Sequence, residues 1–311
     1  MLDQTPLVQG VELDVGASRE GSLSIHRLDQ LFPLGSGNKA YKLVGHCHAA
    51  QRAGRTHLIS FGGAWSNHLH ALAYFAHRAQ LSCTAIVRGL YVDLDNPMLA
   101  DARAQGMRVI KVSKQEYSRR RDRHYLKQLM RQYPGAWVIP EGGDDALGRW
   151  GVRKLANSLR QSIPEGDTLV VAAGTGATVR SLAQQLGARN RLVAALVVND
   201  AKLAKRLEQL GSVHCPRFQV VDASGSGYGR ISDAQLRHLQ RLVVRSGILL
   251  DPLYNGKAYA VATELASKGE RVHLLHTGGL QGWRGFLSCD LLAFYPELAR
   301  TIIETNPKLH Y

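Results

Sequence analysis

The chain has 311 residues, of which 45% are hydrophobic and 21% are charged, and its formal net charge at pH 7 is +14. This length exceeds what one small core requires, so we expect two lobes or one large α/β unit of globular type. No apolar stretch approaches the roughly 18–20 residues that span a bilayer. The N-terminal residues lack the basic flank and apolar core of a signal peptide, so we expect a cytoplasmic protein with no membrane partner.

Short apolar runs alternate with helical patterns along the middle of the chain. In chain order, the predicted strands are 56–63, 81–89, 107–113, 136–143, 168–177, 191–199 and 271–279. The predicted helices are 68–80, 96–106, 118–132, 178–187 and 201–211. Strands at this spacing, followed by helices, predict parallel sheets with helices on both faces. Glycine-rich loops follow four of the strands, and in such sheets ligands bind at those carboxyl ends.

Much of the positive charge is concentrated in one segment, 118–132. Its cations are Arg119, Arg120, Arg121, Arg123, Lys127 and Arg131. The pattern predicts one exposed helix with a basic face. Binding of nucleic acid would require aromatic platforms or a known recognition motif, and neither is apparent, so we expect no nucleic-acid partner. A basic surface also attracts phosphorylated ligands.

Metal sites and disulfides are not expected. The four cysteines lie far apart without a CxxC pair, which suits neither a zinc site nor a disulfide framework. The histidine pairs His46/His48 and His68/His70 are each two residues apart, so on a helix they point to different sides.

A glycine-rich turn lies between the predicted strand 168–177 and the helix that follows. Its residues are Gly174, Thr175, Gly176, Ala177 and Thr178. Glycines let several N–H groups point at one anion at the start of a helix, which favours phosphate. The turn lacks the Lys-Ser/Thr pair of a P-loop and the third glycine of GxGxxG. A tight turn without a ligand therefore remains as plausible.

Two other polar segments are candidates for chemistry. Lys39 lies in a loop with a glycine-rich beginning, and Ser66 and Asn67 stand at a predicted helix start, where a carboxylate can be held. An isolated lysine is ordinarily a surface charge, so the order of the motifs along the chain decides their interpretation.

From about residue 27 to residue 285, the sequence resembles the 1-aminocyclopropane-1-carboxylate deaminase and D-cysteine desulfhydrase family. The motifs that carry this resemblance are Gly37-Asn38-Lys39 with Lys42-Leu43, Gly62-Gly63 with Ser66-Asn67-His68, Pro140-Glu141-Gly142-Gly143 with Ala146-Leu147-Gly148, Gly174 to Thr178, Gly227-Tyr228-Gly229, Asp251-Pro252-Leu253-Tyr254 with Gly256-Lys257, and His276-Thr277-Gly278-Gly279. Singly each motif is common, but seven in one order are hard to reach by chance.

The resemblance implies the two-domain α/β fold of pyridoxal-phosphate (PLP) enzymes of fold type II, similar to tryptophan synthase β. We expect a large PLP-binding domain of residues 1–44 plus 153–311, a small domain of residues 45–152, and a homodimer.

The resemblance also implies a role for each matched residue. Lys39 would carry PLP as a Schiff base and move the α-proton, with Lys257 as the rival lysine. The other implied catalytic residues are Ser66, Tyr228 and Tyr254. The implied cofactor contacts are Asn67, Gly174, Thr175, Gly176, Ala177, Thr178, Asn255 and Thr277. The implied contacts to a small amino-acid substrate are Trp65, Ser66, Asn67 and His68.

The residues expected near the pyridine nitrogen of PLP bear on the reaction. Asn255 stands where the family's deaminase has a glutamate that keeps this nitrogen protonated, and Thr277 is similar to desulfhydrase-like members. A neutral partner makes the ring a weaker electron sink, which favours β-elimination over opening of a cyclopropane. We expect a lyase or deaminase that releases pyruvate and ammonia, most readily from D-cysteine. The alternatives are 1-aminocyclopropane-1-carboxylate deaminase and an inactive binding protein of the same fold.

Overall fold

A computed structural model describes residues 7–11, 21–32, 35, 37–225, 227, 229–287 and 290–305. The chain forms two compact units: a smaller one, Leu34–Lys154, and a larger one, Asp3–Pro33 with Leu155–Tyr311. In the described part of the chain, no helix is long and apolar enough to cross a membrane.

Strands and helices alternate through most of the chain. The strands are β1 (Leu7–Val11), β2 (Ser22–Arg27), β3 (His57–Gly62), β4 (Ser82–Arg88), β5 (Met107–Val112), β6 (Ala136–Val138), β7 (Thr168–Ala173), β8 (Arg191–Leu196), β9 (Phe218–Asp222) and β10 (Arg271–His276). The helices are α1 (Asn38–Arg52), α2 (Asn67–Arg78), α3 (Pro97–Ala104), α4 (Lys114–Ser118), α5 (Arg123–Gln132), α6 (Ala146–Ser162), α7 (Ala177–Leu186), α8 (Ala201–His214), α9 (Asp233–Ser246), α10 (Asn255–Ser267) and α11 (Pro296–Thr305).

The larger unit is built on a six-stranded sheet in the order β1-β2-β10-β7-β8-β9. Its neighbouring strands are parallel except for the antiparallel pair β1 and β2. Val170 and Val193 on the central strands and Leu274 on β10 belong to one buried core. Trp283 is a fully buried member of this core, and its indole N–H donates to the carbonyl of Leu250 at 2.8 Å.

The smaller unit has a four-stranded parallel sheet in the order β5-β4-β3-β6. Ile59 and Phe61 of β3 and Ile86 of β4 form its core with Tyr125 and Leu129 of α5. The predicted α/β architecture of parallel sheets covered by helices is therefore confirmed in both units.

The segment 118–132 is not one helix, contrary to the prediction. Helix α4 ends at Ser118, and α5 begins at Arg123. Asp122 starts the second helix, because its carboxylate accepts hydrogen bonds from the backbone N–H groups of His124 and Tyr125 at 2.8 and 2.9 Å. An aspartate at this N-cap position satisfies donors that have no partner inside the helix.

The boundary between the units differs from the expected one. The division falls after residue 33 and again after Lys154, inside α6, rather than after residues 44 and 152. Helix α1 therefore belongs to the smaller unit, where it packs against α2. Gly151 of α6 makes a further close approach possible, since a Cβ there would lie 1.6 Å from the carbonyl oxygen of Tyr41.

Candidate active site

Lys39 lies in the first turn of α1, in the smaller unit. Gly37 precedes the helix with a φ of 57°, a left-handed value that glycine adopts readily. The side chain of Lys39 is half-buried, and its Nζ donates to Oδ1 of Asn38 at 3.0 Å. Lys42, one turn further on, is buried with 3% exposure. The sequence thus places one partly accessible amine and one buried amine on the same face of α1.

His68 lies beside these two lysines but is itself buried. Ser60 donates its hydroxyl proton to the carbonyl of Ile139 at 2.8 Å, so its oxygen accepts the 2.8 Å hydrogen bond from Nε2 of His68. Burial, reinforced by the charges of Lys39 and Lys42, holds the pKa of His68 well below its usual value. With 3% exposure, His68 is a buried, neutral ring near the two lysines, and its contact with substrate stays a prediction.

The loop Pro140–Gly143 packs against Lys42. A Cβ at Gly143 would lie 3.1 Å from Cβ of Lys42, and the φ of this glycine is +65°. Glu141 fixes the loop, because its carboxylate accepts from the hydroxyl of Tyr117 at 2.7 Å and from Nε of Arg120 at 2.6 Å. Nothing in the sequence distinguished Arg120, which pairs with Glu141, from the basic residues around it.

Ser66 and Asn67 form the start of α2, as predicted. Ser66 is the N-cap, and its Oγ accepts from the backbone N–H of Leu69 at 3.3 Å. Both side chains are half-buried, while the neighbouring Trp65 is 42% exposed. The N-terminus of this helix carries the positive end of the helix dipole, which suits a carboxylate.

In the larger unit, the predicted phosphate turn connects β7 to α7. Gly176 is the N-cap residue with a φ of 80°, and no side chain caps the first turn of α7. Ala177 and Thr178 are buried, and Thr175 is exposed. Backbone N–H groups at such a helix start can bind an anion.

Tyr254 lies against this turn. A Cβ at Gly174 would be 2.9 Å from Cε1 of the Tyr254 ring, so only glycine leaves room for this contact. Tyr254 precedes α10 and is half-buried. Its backbone N–H donates to Asp251 at 2.7 Å. The second predicted tyrosine, Tyr228, lies outside the described residues.

Asn255 and Thr277 are hydrogen-bonded to each other. Asn255 has 0% exposure and accepts from the backbone N–H and the hydroxyl of Thr277 at 3.0 and 3.1 Å. Its Nδ2 donates to Oδ2 of Asp251 and, at 2.9 Å, to the carbonyl of Gly278. All four hydrogen-bonding positions of this amide are thus filled within the protein, and the contact of Asn255 with a cofactor stays a prediction. Thr277 is half-buried and keeps acceptor capacity on its hydroxyl oxygen.

Lys257, the rival lysine, serves another purpose. Its Nζ donates to the carbonyls of Ser224 at 2.6 Å and Gly227 at 2.8 Å. These bonds attach α10 to the loop that follows β9. Lys257 is therefore committed to main-chain acceptors.

Sequence reasoning assigned no role to two supporting residues, Ser60 and Asp251. Asp251 had a usable signal, since an aspartate followed by proline just before a helix is typical of a helix start. Ser60 had none, because its partners come from the helix α2 and from a distant strand end. Among the described residues, no group of three or more histidine, cysteine, aspartate or glutamate side chains could hold a metal.

Comparison with known proteins gives the context of these residues. Residues 3–278 match the family described as pyridoxal-phosphate dependent enzyme. The mitochondrial bifunctional D-cysteine desulfhydrase/1-aminocyclopropane-1-carboxylate deaminase of Arabidopsis thaliana is 30% identical over 79% of this chain and 69% of its own length. The chain belongs to this family of PLP-dependent enzymes.

Two further relatives agree with this assignment. A D-cysteine desulfhydrase of Serratia proteamaculans is 26% identical, with 87% of this chain and 88% of that protein covered. The solved structure of an ACC deaminase homologue matches 94% of both chains at 26% identity, with a TM-score of 0.78. The resemblance inferred from the motifs is therefore confirmed at the level of the family, its fold and its cofactor.

The side chains described above fit PLP. The turn Gly174–Thr178 has a helix start with backbone donors and no side-chain cap, which suits a phosphate group. In the roles that the resemblance implies, Lys39 would offer an amine to the aldehyde, Asn67 an amide to the phenolic oxygen, and Thr277 a hydroxyl to the ring nitrogen.

Proposed function

We propose that this member of the family catalyses β-elimination from a small amino acid, with D-cysteine as the preferred substrate and pyruvate, ammonia and hydrogen sulfide as products. The observation that carries this proposal is the hydrogen bonding of Thr277. Its hydroxyl proton points to Asn255, and Asn255 is held in turn by Asp251. The group available to the ring nitrogen is then a neutral oxygen.

A neutral acceptor supports positive charge on the ring nitrogen less than a carboxylate does. PLP, when bound, draws electrons away from the α-carbon of the amino acid that is joined to it. In β-elimination the departing group leaves with an electron pair, so the demand on the ring is small. Opening a cyclopropane lacks such a departing group. The neutral hydroxyl of Thr277 therefore favours elimination.

Lys39 is the residue that we assign to the α-proton. It is half-buried in the first turn of α1, and the neutral ring of His68 lies next to it without adding a positive charge. An amine in this setting can hold PLP and, once released by substrate, accept a proton.

Ser66 and the start of α2 are assigned to the substrate carboxylate. Ser66 Oγ accepts from Leu69, so its hydroxyl proton is available to donate to a second partner. Trp65, exposed at the same helix start, would restrict the size of the substrate side chain. Tyr254 is assigned to the proton that the departing sulfur receives, with Tyr228 as the second candidate.

The alternative reaction is deamination of 1-aminocyclopropane-1-carboxylate. It is supported by the bifunctional name of the Arabidopsis relative. An inactive binding protein is disfavoured, because a binder has no use for Lys39, Ser66 and Tyr254 together.

A comparison of specificity constants tests the proposal. The PLP-loaded protein would be assayed for keto-acid release from D-cysteine, L-cysteine, β-chloroalanine and 1-aminocyclopropane-1-carboxylate. We expect D-cysteine to give the highest kcat/KM, with sulfide released in equal amount to pyruvate. A higher kcat/KM for the cyclopropane would refute the proposal and support the deaminase. Release of no keto acid from any of them by yellow, PLP-loaded protein would refute both reactions.

A further inference from the structure

The smaller unit has a strongly basic surface between residues 108 and 131. Nine lysines and arginines lie in this stretch against two carboxylates, a local charge of +7 in a chain whose total is +14. Eight of the nine cations are exposed, and we call them the basic surface: Arg108, Lys111, Lys114, Arg119, Arg121, Arg123, Lys127 and Arg131. In the described part of the chain, no carboxylate forms an ion pair with any of these eight.

The two carboxylates of the stretch are already engaged. Asp122 caps α5 through the backbone N–H groups of His124 and Tyr125. Glu116 accepts from the hydroxyl of Tyr125 at 2.9 Å. The ninth cation, Arg120, pairs with Glu141 and is part of the support of the loop described above. Of the eight cations, Arg119 lies over the ring of Tyr125, 5.1 Å from its centroid. The basic surface can therefore attract an anionic partner.

The cations of α5 form a stripe on one side of the helix. Arg123, Lys127 and Arg131 are spaced by four residues, which places them about 6 Å apart along the axis. The opposite side, with Tyr125 and Leu129, is buried in the core of the unit. A linear row of cations on a rigid helix matches a linear row of phosphates.

An exposed aromatic ring follows β4, the strand that pairs with β5. Arg88, at the end of β4, pairs with Val112 next to the start of α4, and the N–H of Gly89 donates to Val112 at 2.9 Å. Tyr91 follows two residues later and is 100% exposed. An exposed phenol ring is a surface on which a nucleobase can stack.

We propose that the basic surface binds single-stranded nucleic acid through its phosphates, without sequence preference, and that Tyr91 stacks on a base. This is a binding function separate from catalysis, and it revises the expectation that nucleic acid is not a partner. Five of the eight cations are arginines, which bind phosphate by paired hydrogen bonds. An anionic membrane is the weaker candidate, because α5 has its apolar face in the protein core rather than free to enter lipid.

The test uses the full-length PLP-loaded protein and fluorescein-labelled oligouridylate of about 20 nucleotides, with binding followed by anisotropy. With four to six phosphate contacts, log Kobs should fall with log salt at a slope of about −3 to −4, a loss near 100-fold between about 50 and 200 mM salt. The same slope is expected on oligothymidylate. Wild-type protein that shows no binding at about 50 mM salt would overturn the proposal.

Two variants of equal charge separate a local surface from total charge. The quadruple substitution R121Q/R123Q/K127Q/R131Q should weaken binding at least tenfold and flatten the slope by about 2 to 3. The control K202Q/K205Q/R206Q/R241Q removes four exposed cations of the larger unit and should change binding less than threefold. Equal losses in the two variants would overturn the proposal. Both should keep the far-ultraviolet circular dichroism and the keto-acid assay of the wild type.

Tyr91→Ala tests the stacking separately. Loss of one stacked base should weaken binding by about 5-fold or more with an unchanged salt slope. An unchanged affinity would refute the role of Tyr91. Vesicles of phosphatidylserine and phosphatidylcholine serve as the competing arm. Tighter binding to these vesicles than to oligouridylate, lost in the same quadruple variant, would assign the surface to a membrane and overturn the proposal.

Discussion

The side-chain oxygen of Asn255 accepts two hydrogen bonds from Thr277, one from its backbone N–H at 3.0 Å and one from its hydroxyl at 3.1 Å. The nitrogen of the same amide is held by Asp251 and by the carbonyl of Gly278. Rotation of the amide by half a turn would oppose donor to donor and acceptor to acceptor at these positions. The buried carboxylate of Asp251 therefore fixes the Asn255 amide, and the amide in turn fixes the orientation of the Thr277 hydroxyl.

Asn255→Ala should reduce the free energy of unfolding by about 2–4 kcal/mol, because it leaves several buried polar groups without partners. Thr277→Val removes one neutral hydrogen bond and should cost about 1 kcal/mol. Urea denaturation of the two variants measures the difference. A variant Asn255→Ala as stable as the wild type would contradict the network.

Lys39 should be the lysine that carries PLP. Reduction of the loaded protein with borohydride, followed by peptide mapping, should place the pyridoxyl label on Lys39. Lys39→Ala should abolish the label and the keto-acid assay, while Lys257→Gln should keep the label, because Lys257 donates to main-chain carbonyls. A label on Lys42 or Lys257 in the wild type would overturn the assignment.

Gly174→Ala should impair turnover without unfolding the protein. The added methyl group would lie 2.9 Å from the ring of Tyr254 and would have to displace it. We expect kcat to fall about tenfold or more, as is common when a reacting group is displaced by a fraction of an ångström. Gly282→Ala is the matched control in the same unit, since no atom lies within 4 Å of its added Cβ. Equal kcat in the two variants would contradict the contact.

Acid should destabilise the protein through His26. Burial, and then the neighbouring His273, lowers the pKa of His26 from 6.5 to about 3. Its Nε2 lies 3.0 Å from Nδ1 of His273, whose Nε2 is 3.1 Å from Asp167. Between these two values the unfolded chain binds a proton that the folded protein does not. The contribution of His26 to stability is complete above pH 6.5 and is lost as the pH falls toward 3.

Urea titrations at pH 7, 6 and 5 should therefore show a decreasing free energy of unfolding, with His26 contributing up to about 1.4 kcal/mol per pH unit well below 6.5. His26→Gln, which can still donate to His273, should show a shallower decrease over the same range. An identical pH dependence in wild type and variant would show that His26 titrates normally in the folded protein.

The fold could be predicted largely from the sequence because its signals are local. Strands β3, β4, β7, β8 and β10 are short apolar runs with buried side chains. Such runs are typical of strands in a parallel sheet that is covered on both faces. Edge strand β9 was not predicted, since its residues are half-exposed and carry no apolar run. The order of the motifs predicted the family. The glycines are required by the backbone at fixed places, and the lysine and the asparagine are required by PLP.

The hydrogen bonds that the sequence did not reveal are those whose partners are distant in the chain. Asn255 is four residues from Asp251 but 22 and 23 residues from Thr277 and Gly278. His68 bonds to Ser60, which in turn reaches Ile139 across 79 residues. The sequence determined which residue types stand at the candidate site and in which order. Only the tertiary structure decided which of them remain available to a ligand, because a polar side chain is committed as soon as folding brings a buried partner within hydrogen-bond distance.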